Sequence, residues 1–191
     1  MASISLKYKS KSGNLTAPGD VDPGAMIPIA TTTVSTAVSS ITFSSIPATY
    51  QHLQIRYISM FSNATAEFEL SFNSDTTAAN YARHTLYGTG SSAGANSGIT
   101  SNTRSVLYTR NTSSTTPGTS VIDILDYANT NKYKTLRGLT GQDYNGSGVV
   151  TLISLLWMSS TAISSISLAP QSGTISQYST FALYGIKKAG A

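Results

Sequence analysis

Two histidines, eight carboxylates and no cysteine are the side chains from which this chain could build an acid–base, metal or thiol centre. A metal site needs three or four convergent His, Cys or carboxylate ligands. His52 opens an alternating run on its polar side, and His84 follows Arg83 at a loop end. With no H-x-x-x-H spacing and no thiolate, both read as surface or interface residues. Asp20 and Asp22 lack the series of spaced oxygen ligands of a calcium loop, and turn formation suits them better. Glu67 and Glu69 lie two apart in one alternating run, which puts their Cα atoms roughly 6.5–7 Å apart on one face. That spacing is compatible with a glycosidase pair, but the same residues are the expected solvent-side members of an amphipathic strand. Asp123 and Asp126 fall on opposite faces and cannot act together. Gly88, Gly90 and Gly94 approximate a dinucleotide fingerprint, yet the third glycine comes one place late and no βαβ helix follows. The expectation is no catalytic residue, no cofactor and no metal.

Whatever the chain does must therefore be done by surfaces, and the composition says which elements carry them. Charged residues make up 10% of the 191 residues; Ser, Thr, Gly and Asn take their place, which suits strands and turns better than helices. The net charge of +4 sits at the ends, in Lys7, Lys9, Lys11, Lys187 and Lys188. The body between is about neutral, without the clustered cations that a nucleic-acid surface requires. No apolar run reaches the ~20 residues of a membrane helix, and the N-terminus shows no signal-peptide core. Neither nucleic acid nor membrane is expected as a partner. The Asn-x-Ser/Thr triplets at Asn14, Asn63, Asn111 and Asn145 read as chance in so Ser/Thr-rich a chain.

The strongest single signal is Gly148 to Met158, GVVTLISLLWM, entered through a turn at Asn145-Gly146 that favours φ > 0 at both positions. Ile153, Leu155 and Trp157 take one face, with Val149; Val150, Leu152, Leu156 and Met158 take the other. A strand apolar on both faces must be covered on both, by a second sheet on one side and something further, such as a copy of the same protein, on the other. Other strands follow from alternation: around Ile41 and Phe43, His52 to Phe61, Thr65 to Asn73, His84 to Tyr87, Arg104 to Arg110, Thr119 to Tyr127, Lys132 to Gln142, Ile163 to Leu168 and Tyr178 to Ile186. A hairpin at Ser62-Asn63-Ala64 is expected to join the second and third of these. Residues 75–83 could hold one helical turn capped by Asp75, and 88–98 read as a mobile loop. Nine or ten strands with short turns predict an all-β, antiparallel β-sandwich, jelly-roll-like, with an immunoglobulin-like topology as the alternative because spacing does not fix strand order. Residues 1–37, rich in Pro and Gly, are expected to be an extended N-terminal arm ahead of a 38–191 sandwich domain, with Val21, Met26, Ile27 and Ile29 as its docking contacts.

Several phrases carry a resemblance. ITFSSIPATYQHLQIRY (41–57), SFNSDTTAANYARHTLYGTG (71–90), IDILDYANTNKYKTLRGLTGQDYNGSGVV (122–150) and STFALYGIK (179–187) resemble small virion structural proteins of tailed bacteriophages, cyanophage-like ones included. GNLTAPGDVDPGAMIPIAT (13–31) resembles attachment segments of the same group. The resemblance implies a non-enzymatic virion component assembled in the host cytoplasm: a capsid decoration (cement) protein or, alternatively, a tail-fibre or receptor-binding tip. It implies a homotrimer docked by its arm on major capsid or tail proteins, and for the alternative a host surface glycan at loops 88–103 and 111–118. Val150, Leu152, Leu156, Trp157 and Met158 are the expected oligomer interface or core.

Overall fold

The computed structural model describes residues 24–62, 67–98, 104–107 and 116–188. Twelve strands form two antiparallel sheets, so the expected all-β sandwich is what the chain folds into. In chain order they are β1 (Met26–Thr33), β2 (Ile41–Phe43), β3 (His52–Ser59), β4 (Phe68–Phe72), β5 (Tyr81–Gly88), β6 (Ala93–Gly98), β7 (Ser105–Leu107), β8 (Gly118–Leu125), β9 (Lys134–Asp143), β10 (Gly148–Trp157), β11 (Ile166–Pro170) and β12 (Thr180–Ile186). The sheets are unequal. The large one runs β1-β12-β3-β8-β9-β10-β5-β6 and the small one β2-β11-β4-β7.

Alternation decides which residues go inside. In β3, Leu53, Ile55 and Tyr57 are buried, as are Ile122 and Ile124 of β8 and Phe181 and Leu183 of β12. They meet Phe68, Leu70 and Phe72 of β4 and Ile166 and Leu168 of β11 from the small sheet. Aromatic edges lock the layers together: Tyr57 and Phe61 each approach Phe68 edge-on, at centroid distances of 5.1 and 4.5 Å, a geometry that adds to simple burial. At the other end of β10, Trp157 lies against Phe72 and Tyr81. Towards Gln142 the inner face changes character, and the buried side chains there are Ser120, Thr140 and Thr151.

Several sequence expectations need correction. Met26–Thr33 is a strand, paired along its length with β12, although Pro28 and the nearby glycines argue against one. The register shifts between Pro28 and Ala30, so the proline sits at a bulge on the sheet edge, where a missing ladder donor is tolerated. The boundary at residue 37 thus falls after the first strand of the sheet; the rest of the expected arm, Val21 included, lies outside the described residues. The loop 88–98 contains β6, an edge strand of small residues in unbroken register with β5. The β3–β4 connection is no hairpin: the two strands belong to different sheets, and Asn63 and Ala64 lie outside the described residues. The helical turn is a single 3-10 turn, Ala78–Asn80, whose N-cap is Thr77 and not Asp75.

The Asn145-Gly146 turn does form between β9 and β10, with φ of 58° and 108°. Tyr144 N–H donates to the Ser147 carbonyl across it at 2.7 Å, and β9 and β10 then pair from Asp143↔Gly148 to Lys134↔Trp157 without a shift.

Candidate assembly face

The inner face of β10 is closed: Thr151, Ile153, Leu155 and Trp157 are all buried. Its outer face is open, with Val150 58% and Leu152 50% exposed. Strand pairing extends this face sideways. Leu152 stands opposite Leu86 of β5 and Leu139 of β9, Leu139 opposite Val121 of β8, and Leu86 opposite Ala95 of β6. Leu86, Leu139 and Val121 are all exposed, as is Ile58 of β3 one row up. Rows are two residues apart and strands about 4.8 Å apart, so the apolar patch covers on the order of 300 Å². That is the size of the largest patches on ordinary monomers, which are often functional.

Polar groups border the patch on one side. Asp123 of β8 accepts from Gln54 Nε2 at 2.8 Å and lies 3.8 Å from Arg137 Nε of β9. Arg56 Nε donates to Gln54 Oε1 at 2.8 Å, and its guanidinium lies 5.7 Å from the centre of the Tyr184 ring. His84 continues the row beyond Ser154 and Arg137. On the other side the bordering row is Gly88, Val150, Gly141, Thr119 and Ile58. Its two glycines leave the outer face without side chains, and a cleft of about 730 Å³ opens there, lined by Gly88, Thr119, Gly141, Asp143 and Val150 among others.

The expected site residues therefore divide. Val150, Leu152 and Met158 are exposed, Leu156 is half-buried on the same outer face, and Trp157 is core only. Trp157 Nε1 donates to Asp75 at 2.8 Å, which ties the indole into the molecule and takes it out of any interface. Met26, Ile27 and Ile29 are half-buried members of β1. Leu86, Leu139, Val121 and Ile58 are the members that sequence reasoning missed. Each is an apolar residue at an outward position of an alternating strand, a signal present in every strand but interpretable only once strand order is known.

The ionisable groups of this region are held by ion pairs and hydrogen bonds. Glu67 and Glu69 are largely covered, not solvent-side as alternation suggests, and each is matched by an arginine: Arg83 at 3.4 Å and Arg104 at 2.5 Å. Lys134 is 1% exposed; its ammonium donates to the carbonyls of Asn129, Lys132 and Ser160, and burial draws its pKa below the usual lysine value. Asp126, at φ 48°, accepts from Lys132 and Gln51, and these bonds hold its carboxyl below the ordinary range. Gly90-Ser91-Ser92-Ala93-Gly94 has the G-x-S-x-G spacing of a nucleophile elbow. An elbow requires a strand-to-helix turn. Here the segment is the β5–β6 hairpin, and the Ser92 hydroxyl meets Thr89 Oγ1 at 3.0 Å instead of a histidine.

Among the described residues no group of three or more His, Asp or Glu gathers to hold a metal, and no helix is long and apolar enough to cross a membrane. No family model, no curated protein and no solved structure matches the chain.

Proposed function

We propose that this chain is a non-enzymatic structural protein of a bacteriophage virion, a capsid decoration or cement protein that associates with copies of itself and docks on the particle through its N-terminal residues. The observation that carries the self-association is the exposed row Leu86, Leu152, Leu139 and Val121 on the outer face of a sheet whose inner face already has a complete core. Apolar surface in that quantity is stabilised by covering it, and a protein repeated many times on a shell meets copies of itself first. The phage assignment rests on the phrases at 41–57, 71–90, 122–150 and 179–187. Docking falls to residues 1–23, because Met26, Ile27 and Ile29 are engaged in β1; contacts repeated over many copies on a lattice add up to firm attachment even where each is weak.

The cleft beside Gly88, Thr119 and Asp143 favours one second reading, a tail-fibre or receptor-binding tip that holds a neutral host glycan among hydroxyls and backbone groups. Copy number per virion separates the two: hundreds for decoration, a few dozen for a tail part. Removing residues 2–23, and leaving β1 in place, tests the docking. The expected product is folded, self-associated and absent from particles; unchanged occupancy rejects the role of that segment.

A further inference from the structure

Gly141 stands in the middle of the outer face, and among the described residues nothing accounts for it. A Cβ built there would find its nearest neighbours, Val149 O and a Val150 methyl, at 3.9 Å, so a side chain fits. Gly185, by contrast, is required by its own fold, since a Cβ there would enter the Tyr50 ring. Glycine weakens a strand interior, and where the fold does not need it, it commonly marks the close approach of another surface. Gly88, two strands away in the same row, has nothing within 4 Å of its would-be Cβ.

What fits over these notches follows from the strand registers. We infer, resting on the self-association proposed above, that two copies pair face to face through the outer faces of their large sheets, about a two-fold axis that runs parallel to the strands between β9 and β10. That axis lays β9 over the β10 of the second copy, β8 over its β5 and β3 over its β6. In the glycine row, large groups then meet small ones. Val150 lies over Gly141, Thr119 over Gly88 and Ile58 over Ala93. In the next row Leu152 lies over Leu139 and Leu86 over Val121. In the polar row Arg137 meets Ser154, and His84 meets Asp123, a carboxylate whose own-chain partners are Gln54 and Arg137. In the last row Leu156 covers Thr135 and Leu125 covers Ala82.

Moving the axis by half a strand spacing, onto β10 or β9, lays Leu152 or Leu139 over its own copy and puts Val150 over Val150 or Gly141 over Gly141; moving it by a whole strand, to between β10 and β5, sets Val150 over Gly88 but leaves Val121 and Ile58 with no strand above them. The second surface groove of the face, lined by His84, Leu86, Ala95, Arg137 and Leu152 among others, receives Val121 and Asp123 of the second copy. Six strands by four rows cover roughly 750 Å² of sheet per copy, hence roughly 1,500 Å² over the pair, which falls in the range of a specific interface. Two sheets packed in this way settle about 10 Å apart with their strands within about 30° of each other.

The axis exchanges positions 141 and 150, which permits a swap. Gly141→Val places a methyl-bearing side chain against Val150 of the other copy, and Val150→Gly leaves a notch over a notch. The double variant Gly141→Val, Val150→Gly restores a knob over each hole. Sedimentation equilibrium of the full chain reads the result, with thermal unfolding of each variant reporting the fold separately. The expected result is a wild-type dimer, each single variant dissociating about ten-fold or more more readily, and the double variant returning most of the way. A monomer at every concentration overturns this inference together with the self-association on which it rests. A trimer, or a dimer indifferent to the single changes, or a double variant no tighter than the weaker single, overturns the face-to-face arrangement and leaves self-association standing.

Discussion

The two faces of β10 have much the same apolar content and opposite surroundings. Ile153, Leu155 and Trp157 point into a core completed by the small sheet and the Phe72–Tyr81 pair, while Val150 and Leu152 point out from the molecule at half exposure or more. Within one chain the inner side is already fully paid for in burial, and the outer side gains nothing until another surface arrives. The difference teaches that apolar content in a strand does not by itself say which of its faces the folded chain buries. It also separates two kinds of variant: those that should unfold the chain and those that should leave it folded and alone.

The largest effect is expected inside. Trp157→Ala removes a buried indole and its hydrogen bond to Asp75, at a cost of about 3–5 kcal/mol, measured as a fall in the denaturant midpoint. A comparable loss on replacing Leu152 would erase the distinction between the faces. Next comes Lys134→Met, which strips three carbonyls of their donor and should cost about 2–3 kcal/mol by the same measurement. The carbonyls belong to the 126–133 turn and to Ser160, so hydrogen exchange should quicken in both segments.

A smaller effect is expected at acid pH. Asp75 is pushed upward by burial, but hydrogen bonds from Trp157, Asn80 and Thr77 outweigh this and bring its carboxyl below the ordinary value. A carboxyl with a depressed folded pKa contributes stability that is fully present above the unfolded pKa and is lost as pH falls through the folded one. Melting temperature should therefore drop on acidification, and Asp75→Asn should flatten that slope by about 1–2 kcal/mol over the range. An unchanged slope would mean that the carboxylate does not anchor the indole. The smallest effect on the fold is expected outside: Leu139→Asp should alter the midpoint by no more than about 0.5 kcal/mol, while it abolishes association in sedimentation.

How much of this could be read from residues alone depends on what each strand carries. Phe68, Leu70 and Phe72 announce β4, and Leu53, Ile55 and Tyr57 announce β3, because period-two burial is written in the side chains themselves. β6 could not be read this way, for Ala93–Gly98 has no apolar residue larger than alanine and is held by its backbone pairing to β5. β1 was hidden by Pro28, whose bulge resolves the conflict only in three dimensions. The outer face was half legible. Val150, Leu152 and Leu156 declare a second apolar side of one strand, and the Asn145-Gly146 hairpin brings Leu139 beside them, but Leu86 and Val121 come from segments farther away in the chain, and non-local strand order is absent from any local pattern. Trp157 shows the converse: as a residue expected in the oligomer interface or the core, it is placed in the core by its parity on the strand.

The central claim, that the outer face is covered by another copy, can be measured directly because the chain has no cysteine. Leu152→Cys supplies a single thiol on that face, and Tyr178→Cys supplies a reference at a site 72% exposed and outside the six strands that would pair. The account predicts that, in concentrated protein, the thiol reagent modifies the position-152 variant far more slowly than the reference, and that dilution brings the two rates together. Equal rates at every concentration would contradict it.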